Sequence, residues 1–302
     1  MNLLLTGCFN YSNEQISVLQ SLGCTIHFMQ HENGVLPVTP SEVDAVVCNG
    51  LFLSHDIDQF SGLKYIQLTS AGFDRVPMEK VSQRGIKIHN ARGVYSIPMA
   101  EWALFRVLEY YKQGVFFRKE QDGLRWTKHR GLREISGTKL AVVGAGNVGQ
   151  EVAKRFQSLG VETTGFDIHA NETIGFNYMA LTSTLKDCIG EFDVVVITAP
   201  LLPSTQGLIS REVMMHMKQN AILVNIARGE LIDEHALCDV LTQRKDLFAA
   251  LDVFEHEPLS ENSMLWTMDN VAISPHNSFV GDGNNARMFR VIYNNLKMFI
   301  EK

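Results

Sequence analysis

Residues 139–169 read KLAVVGAGNVGQEVAKRFQSLGVETTGFDIH, and this stretch decides the fold. An apolar run, Leu140 to Val143, leads into Gly144, Gly146 and Gly149 in a GxGxxG arrangement. A helical pattern follows, then a second apolar run that ends in Asp167, 18 residues after Gly149. Glycines alone make a weak signal; strand, turn, helix and acid in this order make the dinucleotide-binding fingerprint. Gly144 permits the tight turn, Gly146 lets backbone approach a pyrophosphate, and Gly149 lets helix and sheet pack closely. The turn Gly144, Gly146, Asn147, Val148 and Gly149 then presents amides at a helix N-terminus to the phosphates. Asp167 would accept the adenosine ribose hydroxyls and repel a 2′-phosphate, so NAD is the expected cofactor rather than NADP.

Outward from this core, apolar runs alternate with helix-like stretches along the whole chain, which predicts an α/β protein. Before it lie Leu3 to Leu5, Thr25 to Met29, Ala45 to Cys48, Tyr65 to Leu68 and Ile86 to His89. After it come Val194 to Thr198, Ile222 to Ile226, Ala249 to Val253 and Val271 to Ser274, then a helical segment, Ala286 to Ile300. Between the two sets, SIPMAEWALFRVLEYYKQG (96–114) reads as a helix with Ser96 as cap, Pro98 in the first turn and Gly114 as stop. Its apolar residues cover most of the circumference, the mark of burial on several sides. Residues 117–134, charged and carrying Trp126, read as an extended arm.

Composition narrows the class. The chain has 302 residues, 45% hydrophobic and 20% charged, with 27 Lys plus Arg against 33 Asp plus Glu. Two ordinary globular domains fit that length. A net charge of −6 carries no footprint for nucleic acid. No apolar run approaches the roughly 20 residues of a membrane span. MNLLLTGCFN lacks the basic start of a signal peptide, so a cytoplasmic location is expected. Cys8, Cys24, Cys48, Cys188 and Cys238 are odd in number and contain no CxxC pair, which argues against disulfides and a zinc site.

Three successive strands of the second domain end in ionisable residues. AILVNIARG delivers Arg228, FAALDVFEHEP delivers Asp252 and Glu257, and VAISPHNS delivers His276. Ligands bind at the carboxyl ends of such strands. Arginine can grip a carboxylate with two parallel hydrogen bonds, histidine can pass a proton to a forming alkoxide, and a carboxylate can orient the imidazole. His256, beside Glu257, is a rival for the acid role on this reading.

These residues resemble the D-isomer-specific 2-hydroxyacid dehydrogenase family over nearly the whole chain. NIARGELID is similar to the family's arginine motif, LDVFEHEP to its glutamate motif and SPHNS to its Pro-His motif, in the same order after the same fingerprint. The resemblance implies an NAD-dependent oxidoreductase working on a 2-oxo acid and (R)-2-hydroxy acid pair. It implies Arg228 as carboxylate binder, Glu257 with His276 as the acid/base pair in place of His256, and Asp252 on the nicotinamide carboxamide. TSAGFDRVP resembles the substrate loop, with amides near Ala71 and Gly72 on the substrate carboxylate. NARGVYSIPMAEWAL places Val94 and Tyr95 near substrate and cofactor, and APLLPSTQGLI places Pro200 and Thr205 along the cofactor, as Ala227 would be.

The architecture so implied is two doubly wound parallel-sheet domains. A discontinuous flavodoxin-like substrate domain (1–94 and 282–302) would be interrupted by a Rossmann NAD-binding domain (95–281), with homodimerisation through the long helix and arm. Lys302 as the last residue leaves none for the C-terminal regulatory domain of some serine-pathway relatives, so control through substrate, cofactor or dimer contacts is expected. Ile168 stands where members often have Pro, and Asn277, Ser278 and Phe279 where a small pair is usual. Asn49 to Leu53 carries none of the basic residues typical of members that act on phosphorylated acids. That weighs toward a small or apolar 2-oxo acid near Leu51 and Phe52. An NAD-sensing regulator on the same fold, and hydroxypyruvate, glyoxylate or phosphoglycerate specificity, are the alternatives.

Overall fold

The computed structural model describes residues 1–169 and 175–301. The chain divides into two units, Met1–Tyr95 with Gly281–Lys302, and Ser96–Val280.

The first unit holds β1 (Asn2–Thr6), α1 (Asn13–Ser21), β2 (Thr25–Met29), β3 (Ala45–Cys48), α2 (Leu51–Ser54), β4 (Tyr65–Leu68), α3 (Met78–Gln83) and β5 (Lys87–His89). The strands pair in parallel in the order β2-β1-β3-β4-β5. Both faces are apolar because alternate side chains point opposite ways. Leu3, Leu5, Ala45 and Val47 pack against Leu19 of α1 and against Met288, Ile292 and Leu296 of the last helix. Leu4, Val46, Cys48 and Ile66 pack with Leu51 and Val81 on the other face. Ser12 caps α1 through a reciprocal bond with Gln15, satisfying two amides that the helix itself cannot.

The second unit opens with α4 (Ser96–Tyr111) and α5 (Gly114–Asp122), then β6 (Lys139–Val143), α6 (Asn147–Gln157), β7 (Glu162–Asp167), β8 (Tyr178–Leu181), α7 (Leu185–Cys188) and β9 (Val194–Ile197). It continues with α8 (Arg211–Met215), β10 (Ile222–Asn225), α9 (Glu234–Gln243), β11 (Phe248–Leu251) and β12 (Val271–Ile273); α10 (Asn284–Ile300) then returns to the first unit. Seven parallel strands run in the order β12-β11-β10-β9-β6-β7-β8, so the order reverses between β6 and β9. Helices α4 and α6 cover one face through Ala103, Val107, Val152 and Phe156. Helices α7, α8 and α9 cover the other through Leu185, Met214, Leu237 and Val240. Phe156 is fully buried, and its truncation to Ala would cost about 3–5 kcal/mol.

Two expectations change. The chain after Gly114 does not run extended from 117: Gln113 turns left-handed at φ 55°, and α5 starts from it and continues to Asp122. Gly114 therefore opens a helix, while α4 has already ended at Tyr111. Strand β8, absent from the expected set, pairs with β7 at the sheet edge, Gly165 opposite Met179. Among the described residues, no helix is long and apolar enough to cross a membrane.

Candidate active site

The glycine turn follows β6. Gly144 has φ +102°, and a Cβ there would lie 2.5 Å from the Ala199 amide nitrogen, so only glycine fits. A Cβ on Gly149 would lie 2.2 Å from the Gly144 carbonyl, whose oxygen also accepts from the Thr198 hydroxyl at 2.6 Å. Gly146, by contrast, caps α6 and faces open space. That combination leaves room for a ligand's phosphates at the N-terminus of an 11-residue helix. Asp167, ending β7, accepts the Ala145 amide at 2.8 Å through Oδ2 and the Ile168 amide at 2.8 Å through Oδ1. Counting the bonds to described residues, each oxygen keeps a lone pair for a ribose hydroxyl. The turn, the helix and the acid together fit a dinucleotide.

At the carboxyl end of the same sheet, β10, β11 and β12 finish in register, Asn225 opposite Leu251 and Leu251 opposite Ile273. The residues that follow are thereby set side by side. Asn225 is buried and clamps the next turn: Oδ1 accepts the Ala227 amide at 3.1 Å, and Nδ2 donates to the Arg228 carbonyl at 2.8 Å. The Arg228 guanidinium donates to the Ala227 carbonyl at 2.7 Å. Gly229 permits this turn to pack on the loop after β11, since a Cβ there would fall 1.9 Å from the Phe254 carbonyl carbon.

His276 donates from Nδ1 to Glu257 Oε2 at 2.8 Å, the only direction open to a carboxylate acceptor. Its side chain is 40% exposed, so Nε2 is left for chemistry. Glu257 Oε1 in turn accepts the Phe254 amide at 3.2 Å. His276 sits at φ 48°, a left-handed conformation that costs a non-glycine residue about 1 kcal/mol. Asp252 holds it there. This fully buried carboxylate accepts the Ser274 hydroxyl, the Asn277 amide at 2.8 Å and the Ser278 amide at 2.8 Å, while the Asp252 carbonyl accepts the His276 amide at 2.7 Å.

Other expected site residues divide. Thr205 is buried and closes its own loop, donating to the Pro200 carbonyl at 2.7 Å and accepting the Leu202 amide at 2.8 Å; Pro200 is exposed. Ala227 is buried, and Asn147 and Val148 are half-buried at the start of α6. In the first unit, Ser70 and Asn90 hold the Gly72 and Ala71 carbonyls, at 2.9 and 2.5 Å, in an exposed loop after β4. The Tyr95 hydroxyl donates to the Thr69 carbonyl at 2.5 Å, and burial pushes its pKa up to about 12.

Three of the expected site residues have buried side chains. Leu51 and Val94 are fully buried in the first unit's core and offer a ligand no side-chain surface. Leu51 is drawn in as the first residue of α2, and Phe52 packs edge-on against Phe60 at 5.7 Å. Asp252 has no surface at all, its oxygens being taken up by the His276 loop. Sequence reasoning missed Asn225; its signal was a polar residue closing the otherwise apolar β10, ILVN.

A family model described as D-isomer specific 2-hydroxyacid dehydrogenase, NAD binding domain, matches residues 104–278. The chain belongs to the D-isomer specific 2-hydroxyacid dehydrogenase family. Its second unit carries the family's NAD-binding domain. The chain is 34% identical to a D-3-phosphoglycerate dehydrogenase of Methanocaldococcus jannaschii over 76% of its own length and 44% of the relative's. It is also 34% identical to a hydroxypyruvate reductase of Thermotoga maritima, over 73% of this chain and 72% of that one. A solved 2-hydroxyacid dehydrogenase family protein of Aeromonas salmonicida superposes with a TM-score of 0.86 at 26% identity, covering 99% of this chain and 95% of that one. The family's members are oxidoreductases, and the fold, the cofactor class and the order of motifs all agree with that membership.

Proposed function

We propose that this protein reduces a 2-oxo acid to an (R)-2-hydroxy acid with NADH, and catalyses the reverse oxidation. The observation that carries this reading is the 2.8 Å pair of His276 and Glu257 at a strand end of the NAD-binding unit. NADH, when bound at the glycine turn and Asp167, would supply the hydride for the carbonyl carbon. His276 gives its Nε2 proton to the oxygen as charge develops there, and takes it back in the reverse direction. Glu257 keeps Nδ1–H engaged throughout, which fixes the ring and stabilises the imidazolium. Arg228 binds the substrate carboxylate and polarises the neighbouring carbonyl. In the first unit, Asn90 and Tyr95 hold the loop that carries Ala71 and Gly72. Asp167 takes the adenosine ribose and favours NADH over NADPH. Pro200, Thr205 and Ala227 shape the cofactor's bed, Thr205 through its hold on the loop.

Asp252 is assigned a positioning role: it keeps His276 in its left-handed conformation. We also propose that the protein acts in the cytoplasm as a homodimer through the NAD-binding unit. Supporting the dimer, Leu124 and Trp126 beyond α5 are 95% and 97% exposed, apolar surface that a second copy would cover.

The test is NADH oxidation over glyoxylate, hydroxypyruvate, pyruvate, 2-oxoisocaproate and phenylpyruvate, with His276→Ala and Arg228→Ala alongside. His276→Ala should lower kcat by about 10²–10⁴-fold with NADH binding retained. An NADH-binding protein that turns over none of these acids would sink the proposal, and a fully active His276→Ala would remove the acid/base assignment.

A further inference from the structure

Near the His276–Glu257 pair, and wholly within the second unit, two further carboxylates hold each other's backbone. Glu234 opens α9, and its Oε2 accepts the Glu255 amide at 3.0 Å; Glu255 Oε1 returns the bond, accepting the Glu234 amide at 3.1 Å. The two residues stand 21 apart in the sequence, on the segments that follow β10 and β11, and both are half-buried. One of these bonds serves the helix: the Glu234 amide has no partner within α9, and the charge of Glu255 suits the positive end of the helix dipole. The other serves the loop, because the Glu255 amide it fixes belongs to no helix or strand.

That loop carries Glu257. The Phe254 amide donates to Glu257 Oε1 at 3.2 Å, so consecutive amides are bound, one to Glu257 itself and the next to Glu234. The Glu257 side chain is 36% exposed, which leaves its place to hydrogen bonds rather than to core packing. The turn that carries Arg228 presses on the same loop: a Cβ on Gly229 would lie 1.9 Å from the Phe254 carbonyl carbon and 2.3 Å from the Glu255 nitrogen. Such packing stops the loop from moving inward but does not stop it from sliding or lifting away. The paired bonds from Glu234, five residues along the same segment, do both.

We propose that Glu234 is a positioning residue for the acid/base pair: through the Glu255 amide it holds the loop on which Glu257 meets His276. This rests on the reaction proposed above. Without the clasp the loop slides, Glu257 leaves Nδ1, and the imidazole turns from the orientation that presents Nε2.

The experiment measures kcat, KM and NADH affinity, with the best-used 2-oxo acid of the panel above, in the wild type, Glu234→Ala, Glu234→Gln, Glu257→Ala and Glu234→Ala with Glu257→Ala. Misplacing a positioned group costs up to about 10²-fold in rate, so Glu234→Ala should lower kcat by at least about tenfold and change NADH affinity by less than about twofold. Glu234→Gln, whose amide oxygen can still accept the Glu255 N–H, should keep kcat within about threefold of the wild type. In the Glu257→Ala background, Glu234→Ala should cost less than about twofold, since residues acting through one another are not additive. A kcat within about twofold of the wild type in Glu234→Ala overturns the proposal. So does an equal cost with and without Glu257, the mark of a merely structural role, and so does Glu234→Gln as impaired as Glu234→Ala. Should Glu234→Ala fail to fold by circular dichroism, Glu234→Asp, which keeps a charge at the helix start and is one methylene too short for the bond, replaces it in both backgrounds. If the wild type turns over no acid of the panel, the reaction assignment fails by itself, and the clasp is judged by nitrogen-15 spectra of histidine-labelled protein in alkaline buffer. His276, identified by its loss in His276→Ala, should carry its proton on Nδ1 in the wild type and lose that preference in both Glu257→Ala and Glu234→Ala; an unchanged His276 signal in Glu234→Ala overturns the positioning role.

Discussion

Replacing Asp252 by Asn separates the two roles open to this residue. In the structure its carboxylate serves three donors, Ser274 and Asn277 on Oδ1 and Ser278 on Oδ2. An amide keeps one acceptor oxygen. Placed toward Ser274 and Asn277, it turns its own NH₂ on the Ser278 amide, leaving one buried donor unpaired and two bonds without charge assistance. Hydrogen bonds to a charged group contribute about 1.5–3 kcal/mol and neutral ones about 1, so the gross loss is about 3–5 kcal/mol. Relief of the buried charge's desolvation offsets part of it, leaving about 2–3 kcal/mol. At about 2–4 °C per kcal/mol for a domain of this size, Tm should fall by about 5–10 °C. The loop that holds His276 at φ 48° would relax, and kcat should fall by about 10²-fold or more as the imidazole leaves Glu257. NADH affinity should change little, because the carboxylate has no exposed surface. Thermal melting, NADH fluorescence titration and steady-state turnover report these separately. A Tm within about 2 °C of wild type, combined with a tenfold or greater loss of NADH affinity, would refute the positioning role in favour of a direct nicotinamide contact.

Gly149→Ala places a methyl 2.2 Å from the Gly144 carbonyl, backbone against backbone, so NADH binding should be lost and stability lowered by about 1–3 kcal/mol; an unchanged titration would contradict the packing argument. Asp167→Ala should raise the NADPH to NADH ratio of kcat/KM by about tenfold or more by removing a charge that repels the 2′-phosphate, and a wild type already favouring NADPH would rule out that role. Trp126→Glu combined with Leu124→Ser should convert the protein to monomers in sedimentation velocity if the apolar surface beyond α5 is a subunit contact; an unaltered sedimentation coefficient excludes it.

Strand positions were legible because a parallel sheet covered on both faces demands uninterrupted apolar runs such as LLL at 3–5 and VVVI at 194–197. Strand β8 escaped because its apolar run, YMAL, is only four residues long and lies at the sheet edge, where Tyr178 and Leu181 remain exposed. Helix α5 escaped because charge dominates GVFFRKEQD, and its start depends on Gln113 turning left-handed, which no local pattern announces. At the site, ionisable side chains at strand ends stood out, but the groups that hold them did not. Asp252 reaches its donors 22 to 26 residues away, so only the folded chain shows which donors it meets. The burial of Leu51 and Val94 is of the same kind, being decided by which helix face and which turn come to lie over the sheet.

Helix α10 also sets an order of events at the ribosome. Met288, Ile292 and Leu296 cover one face of a sheet whose last strand ends at His89, while every residue of the second unit is made in between. At about 5–20 residues per second, the roughly 200 residues from Tyr95 to the end of that helix take about 10–40 s to emerge. Throughout that interval the N-terminal sheet carries bare leucine and valine on one side. The unit begun first is therefore the unit completed last. The face that α10 covers can be closed only after the whole second unit has been made.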